Sequence, residues 1–553
     1  MQRFISRLDE IAGVNHENRI VVWLERIAFV FLVLMVLSAP HSIAATQTSW
    51  ILGMLAWIIR LFLKPRPSLV RTPLDFALPA FFIWSALTCA FSYAPDISIQ
   101  GLRGTALFLI FYFVAGNLRT RRAVYFLAFA LITSCMVNVF LTPLERIIGR
   151  GVEIHGIRPE SALAKALLYE GDTLLQANRK KIKTPEDLVA EIERNETTKV
   201  RFYRPDFYFA VDVKRENLLE GASALEKLGV ESWKKSRNWR STGFYGHWTT
   251  YAEVLQLIAS LAFGLFIALI SKKFSTRRRG DAEEEKAKVE SKKTKLFYLL
   301  PFAFYLLLLC LGGMLFALLL TATRASQAAF LISAFVVVLL NGNRRIILAL
   351  AAIVLPLVVV GLIFLQQSRN VGFIDEKDDS TRWRQTVYRE GFDLWTDNPR
   401  NFLLGVGMDS IKRYASEWRL FDDGRLPMGH FHSTPLQLLV ERGLPALLLW
   451  LWILWLYARM LWRGLKIPDT EEENSKFKIQ NSKFAISHSA IEKGILLGCS
   501  GGVVGFFISG LVHYNLGDQE VAMIFFLLTG LSVKLIQMKN EAEARAKAVA
   551  EKE

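Results

Sequence analysis

The feature that most constrains this chain is its series of uninterrupted apolar runs of membrane-spanning length. A hydrocarbon layer about 30 Å thick needs roughly 20 helical residues at about 1.5 Å of rise each. Such runs fall at 27–38 (extended upstream by 20–24), 50–63, 74–91, 105–116, 124–141, 251–270, 297–321, 325–340, 346–365, 436–457, 494–512 and 521–535. The fold class expected is an α-helical polytopic membrane protein of about twelve transmembrane helices. A chain of 553 residues that is 52% hydrophobic fits this class, whereas a soluble protein has no need of so many such runs. The first run has no small-residue cleavage site and another follows at once, so it reads as an anchor rather than a cleaved signal.

Charge gives the expected orientation. Arg60, Lys64, Arg66 and Arg71, then Arg119, Arg121 and Arg122, then Arg344 and Arg345 fall in alternate connections. The stretch 272–295 is denser still, centred on Arg277, Arg278 and Arg279. The intervening short connections, 40–49, 92–101 and 513–520, hold no Lys or Arg. This is the positive-inside pattern of a bacterial inner-membrane protein with both termini cytoplasmic. It accounts for the formal net charge of +16 through membrane lipids, and no nucleic acid is expected as a partner. Cys89, Cys135, Cys310 and Cys499 lie within apolar runs without metal-like spacing and read as small core residues.

The chain then divides into helices 1 to 5 (1–142), a small periplasmic insertion (143–217), helices 6 to 9 (218–365) with a solvated cytoplasmic linker at 271–295, a large periplasmic loop (366–433), helices 10 to 12 (434–538) and a cytoplasmic tail (539–553). Within the insertion, VRFYR and FYFAVDV alternate apolar and polar residues, as a two-stranded hairpin does. Pro185 with Leu188, Val189 and Ile192 predicts an amphipathic helix capped by Thr184. Together with Pro159, Ser161, Ala162, Gly171, Asp172, Asn178 and the strand at Val200, these features resemble a bacterial-type PDZ domain, an α+β module, over about seventy residues. The resemblance implies a peptide or protein partner taken up by strand addition beside the helix. The loop expected to bind a peptide carboxylate, IIGRGVEI, matches that pattern poorly, which leaves a spacer or docking role open.

A PDZ-like domain in a multi-pass protein raises the reading of an intramembrane protease. A metalloprotease needs HExxH, but after His16 and Glu17 the second histidine's place is held by Ile20. Gly498-Cys499-Ser500-Gly501 is similar to the GxSG of rhomboid proteases. Its base would have to be His513, thirteen residues on in the same helix, and roughly 20 Å away at about 1.5 Å per residue. The small residues are more simply a helix-packing face.

A better constellation occupies the outer connections. RSTGFYGHW leads into the sixth helix with Arg240 at its end, and TATRASQAAF joins the seventh and eighth helices with Arg324 in the turn. The second large loop holds Arg382-Trp383, Pro399, Gly405 and Gly407, and ends at His432 before Gln437, Glu441, Arg442 and Gly443. In this order the pieces resemble the O-antigen ligase family of membrane glycosyltransferases, although many members have His-Asn where this chain has His432-Ser433. The resemblance implies a polyprenyl-diphosphate-linked glycan donor, a lipid or protein acceptor, Arg240, Arg324 and Arg382 on the diphosphate, and His432 as catalytic base. It further implies inversion at the anomeric carbon, with no metal and no cofactor.

The chemistry agrees with those residue types. A diphosphate leaves without a proton from an acid, so the reaction lacks a base for the acceptor hydroxyl and compensation for growing negative charge. An imidazole titrating near neutrality suits the first need. Guanidinium forks that stay charged and meet phosphate oxygens bidentately suit the second. Arg324 is the only basic residue in an outer turn that charge alternation would leave empty. His430 with His432 as a metal pair is the weaker alternative, since the other histidines lie elsewhere in the sequence. An O-antigen polymerase, a protein O-oligosaccharyltransferase, and a lipid-linked glycan transporter or non-catalytic PDZ scaffold remain the other readings.

Overall fold

The structure is a computed structural model, which describes residues 2–14, 16–67, 69–204, 207–237, 240–276, 293–342, 379–426, 429–468 and 488–551. Every apolar run among these residues is helical over nearly all its length. The 346–365 run, most of the 271–295 linker and the start of the large loop, with its acidic stretch, lie outside the described residues. Among the described residues, eight helices are long and apolar enough to cross a membrane: Arg19–Ser38, Pro95–Asn117, Arg121–Ile148, Trp248–Ser271, Arg324–Asn341, Thr434–Lys466, His488–Gly510 and Gln519–Val549. Leu74–Ala90 and Phe304–Leu320 are shorter apolar helices. The protein is thus a mostly helical, polytopic membrane protein.

The chain forms two compact units. The first comprises 1–136, 249–319 and 323–553; the second comprises 137–248 and 320–322. In the first unit helices approach closely where glycine removes the side chain. A Cβ on Gly264 of the Trp248–Thr276 helix would run into the backbone of Gly498 on His488–Gly510. The hydroxyl of Ser500 donates to the Leu496 carbonyl of its own helix at 2.8 Å. The 498–501 stretch is a packing face, and its serine is engaged locally.

Polar contacts gather at two separate sets of helix ends in this unit. At one set Glu25 accepts from Arg60 Nε at 2.7 Å and also pairs with Arg119, and Arg121 donates to Glu492 at 2.7 Å. Glu25 and Arg60 are both buried. At the other set, Ser92 and Ser98 bond each other at 2.7 Å, and Ser92 reaches Ser410 at 2.8 Å. Gln47 donates to Gln519 at 2.6 Å, and the Thr434 amide donates to the His513 carbonyl at 3.1 Å. The first set gathers connections rich in arginine, and the second gathers the three short connections without Lys or Arg together with the large loop that carries Ser410. Pairing between elements far apart in sequence therefore agrees with the charge alternation.

The second unit holds an antiparallel sheet: β1 (Val152–His155), β2 (Thr173–Ala177), β3 (Lys180–Lys181), β4 (Thr197–Arg204), β5 (Phe207–Lys214) and β6 (Ser232–Lys235), in the order β5-β4-β2-β1-β6 with β3 on β2. The β4–β5 hairpin is the one expected from the alternation. Asn178 and Arg179 both take positive φ, +46° and +69°, in the two-residue turn between β2 and β3, the conformation such hairpins require. The Pro185–Arg194 helix begins with a capping box in which the Thr184 hydroxyl accepts from the Asp187 amide and the Asp187 carboxylate accepts from the Thr184 amide. Leu188, Ile192, Leu174, Val200, Phe202 and Val230 share one apolar core. Asp172, buried, takes both Nε and Nη2 of Arg204 at 2.8 and 2.7 Å.

Two points differ from the sequence reading. The fold runs past residue 217, because β6 pairs with β1 in register Val152↔Lys235 and Leu228, Val230 and Trp233 complete the core. And β1, which follows the IIGRG loop, is paired on both sides, by β2 and by β6. Strand addition needs a free edge, and β1 offers none.

Candidate functional site

The site is built around a break in one membrane helix. Ser433 caps Thr434–Lys466 with its hydroxyl on the Leu436 amide, and proline occupies the first turn. Gly443 interrupts the helix at φ +72°, ψ 178°. The interruption turns the Val440 and Glu441 carbonyls outward, where they accept from the Val406 amide at 2.7 Å and the Gly407 amide at 2.9 Å. A Cβ on Gly405 would strike the Glu441–Arg442 backbone, and one on Gly443 would strike the Leu403 carbonyl. Backbone therefore packs on backbone here, which only glycine permits.

His432 stands just before this helix with φ +48°. Its carbonyl accepts from the Tyr388 hydroxyl at 3.1 Å. Its amide donates to Nδ1 of His430 at 3.1 Å, which leaves the proton of neutral His430 on Nε2. The half-buried His432 ring meets Trp383 edge to face at 4.7 Å and lies 4.0 Å from the His430 ring. Between the histidines Phe431 is fully buried, stacks on Phe421 and donates its amide to Gln437 at 2.8 Å. The Asp379–Thr396 helix carries Trp383 and Tyr388, and burial pushes the Tyr388 hydroxyl above its ordinary pKa. Glu390 of this helix takes the amides of Phe421 at 2.6 Å and Asp422 at 3.0 Å.

Beneath His430 lies a cavity of about 360 Å³. Its polar end is lined by Arg103, Lys412, His430, Glu441, Arg442 and Tyr514. Gln437 donates to Glu441 Oε1 at 2.9 Å, and the Asp409 amide reaches the same oxygen at 2.9 Å. The Tyr514 hydroxyl, whose pKa is raised by burial and then by Glu441, lies 3.5 Å from Glu441 Oε2.

The four residues expected at the site are distributed as follows. His432 and the helix of Arg382 come together through Trp383, while the Arg382 side chain itself is exposed. Arg324 is the first residue of Arg324–Asn341 and is exposed. Arg240 belongs to the second unit, where its guanidinium lies 5.4 Å from the Trp248 ring. None of the four lines the cavity. Sequence reasoning passed over Arg103 and Tyr514, and used Glu441 and Arg442 only as marks of resemblance. The available signal was a Glu-Arg pair inside an apolar helix, a rare placement in membrane segments. Among the described residues no group of three or more His, Cys, Asp or Glu is arranged to hold a metal ion.

Residues 306–451 match the family model described as O-antigen ligase. The matched segment includes Arg324, Arg382, His432, Glu441 and Arg442 and excludes Arg103 and Arg240. No curated protein matches the chain. The likeness supports a membrane enzyme that transfers glycans.

Proposed function

We propose that this protein is a glycosyltransferase of a bacterial inner membrane that moves a saccharide from a polyprenyl diphosphate to an acceptor hydroxyl at the periplasmic face. The observation that carries this reading is His432, held in a left-handed turn between Trp383 and His430 within the segment that matches the O-antigen ligase family. His432 removes the proton of the acceptor hydroxyl as that oxygen attacks the anomeric carbon from the face opposite the diphosphate. The anomeric C–O bond breaks with inversion, and the electron pair leaves with the diphosphate, which departs without protonation. Arg324, Arg382 and Arg240 meet the charge that develops there. No metal is required for any of these steps. A polymerase or a protein O-oligosaccharyltransferase would use the same chemistry with a different acceptor.

The test is a glycoconjugate profile of cells lacking the gene, complemented by wild type, His432→Ala or Arg324→Lys. His432→Ala should be present at normal level, slow transfer by roughly 10²–10⁴-fold and let the lipid-linked donor accumulate. Arg324→Lys should also be badly impaired, since an ammonium keeps the charge and loses the fork. Chelator should leave the purified enzyme's rate unchanged. Near-normal transfer by His432→Ala, or strict metal dependence, would rule out the mechanism.

A further inference from the structure

Among the described residues, Arg442 is a buried cation without a carboxylate hydrogen-bonded to it. It is 5% exposed, its Nη1 and Nη2 donate only to hydroxyls, Ser85 at 3.3 Å and Tyr514 at 3.4 Å, and its Nε has no hydrogen-bond partner. One face of its guanidinium lies 5.5 Å from the Phe81 ring. The adjacent carboxylate, Glu441, is engaged by Gln437, the Asp409 amide and Tyr514, and Asp409 pairs with Lys412 at 2.7 Å. Arg103, exposed, also lines the cavity, and among the described residues its one hydrogen bond goes to the Gln100 carbonyl. Holding a guanidinium out of water with no carboxylate hydrogen-bonded to it is costly, and such residues in membrane segments mark substrate paths.

Asp409, Gln100, Thr105, Gln437 and Gln519 also line the cavity, and the rest of its wall is apolar. Phe108, Trp450, Leu454, Phe525 and Phe526 line it. Trp450 and Leu454 lie eight and twelve residues beyond Arg442 on one helix, roughly 12–18 Å deeper at about 1.5 Å per residue. Three basic residues, Arg103, Lys412 and Arg442, stand against two carboxylates that have partners of their own, Glu441 and Asp409, and an apolar wall runs on from Arg442; the space matches an amphiphile with an anionic head.

We propose that this cavity binds the phosphate of a lipid-linked substrate, with Arg442 as its buried cation and Arg103 at its mouth, a site separate from the arginines assigned above to the leaving diphosphate. Its role as a substrate site rests on the glycosyltransferase reading; its capacity to bind does not. His430, which lines the cavity, lies 4.0 Å from the His432 ring and accepts the His432 amide at Nδ1, and so couples a bound head group to the base.

The experiment is equilibrium binding of labelled farnesyl phosphate to the purified full-length protein in a neutral detergent, with farnesol and inorganic phosphate as comparisons. Farnesyl phosphate should bind saturably and more tightly than either. Arg442→Gln should weaken it by about tenfold or more, or about 1.4 kcal/mol, with Arg442→Lys in part restoring it. Arg103→Gln, a change at an exposed residue, should weaken it by several-fold, and Arg463→Gln, at an exposed position of the Arg442 helix that does not line the cavity, should not. Should Arg442→Gln fail to fold, Arg103→Gln decides alone. Wild-type affinity in the Arg103 and Arg442 variants, or equal loss in Arg463→Gln, overturns the proposal. Displacement by farnesyl diphosphate identifies the head group as that of the donor's carrier, and displacement by lysophosphatidic acid as that of a phosphorylated acceptor lipid. Binding that persists while His432→Ala cells transfer normally would retain the site and remove the transferase reading.

Discussion

His432 is one of several residues with a Cβ that the fold holds at positive φ, together with Asp409 at +59°, Arg419 at +51°, Phe421 at +58° and Asp422 at +54°. Each such residue costs about 1–3 kcal/mol, so the surrounding contacts must outweigh it. Glu390 supplies two of those contacts from a neighbouring helix, and Tyr388 anchors the His432 carbonyl. Asp518 shows a different kind of tension. Its carboxyl accepts from Thr250, faces Glu520 and the buried Glu253, and is pushed well above the ordinary carboxylate range, first by burial and then by Glu520. The folded protein keeps a proton that the unfolded chain releases, so stability falls as pH rises from the ordinary carboxylate range through the raised one. Asp518→Asn should therefore flatten the fall in thermal midpoint between pH 5 and pH 9, and an unchanged slope counts against the linkage. His432 is legible from sequence because it stands in a recognisable order of arginines and glycines. Arg442 is legible only as a charge in an apolar run, since an arginine facing a cavity and one facing lipid headgroups share the same spelling.

Helices are the most legible elements, because a run of apolar residues in lipid has no other way to satisfy its backbone. Less visible is what fastens them. Glu25 on Arg19–Ser38, Arg60 on Ile43–Phe62 and Arg119 after Pro95–Asn117 form one buried cluster, joined by His16 at 3.2 Å. Removing one member of a buried ion group leaves the others uncompensated, at about 3–5 kcal/mol. Glu25→Ala should lower the unfolding midpoint in detergent accordingly, and Glu25→Gln less, because it keeps an acceptor. A midpoint like that of wild type would mean that the cluster is solvated. Glu441 and Arg442 interrupt the apolar run just before Gly443, but nothing in the sequence marks the non-helical backbone there; the break follows from the close approach of Gly405. Strand β6 is likewise hidden: SWKK has one aromatic among polar residues and joins the sheet only because β1 presents it an edge.

For the whole molecule the proposed orientation makes a direct prediction. Reporter fusions that require the periplasm should be active at Lys180 and near Asp378 and inactive at Arg278, and a periplasmic signal at Arg278 would undo the helix count and the site's placement together. The inserted unit can be tested by excision. Because β6 closes its sheet, the segment to replace with a short Gly/Ser linker is 150–236, with the stretch to Arg240 retained. The product should remain a folded membrane protein that transfers to a small soluble acceptor in vitro and loses efficiency toward its native acceptor in cells. Excising 149–217 instead should give an aggregating protein, since Leu228, Val230 and Trp233 would lose the core that covers them. Loss of all transfer by the folded 150–236 variant would place the insertion within the active site.

The pairing of β1 with β6 has an entropic consequence for folding. The Arg150 amide donates to the Ser236 carbonyl at 2.9 Å, so the two ends of the insertion are pinned side by side. Closing a flexible loop costs free energy that grows with the logarithm of its length, about 0.6 kcal/mol per doubling. Once the insertion has folded, the Arg121–Ile148 and Trp248–Thr276 helices are tethered by residues 149–150 and 236–247 rather than by the whole of 149–247, a shortening of nearly three doublings or roughly 1.5–2 kcal/mol. A substitution that unfolds the sheet would hand that entropy back to the chain and loosen the assembly of the helices without changing any residue of theirs.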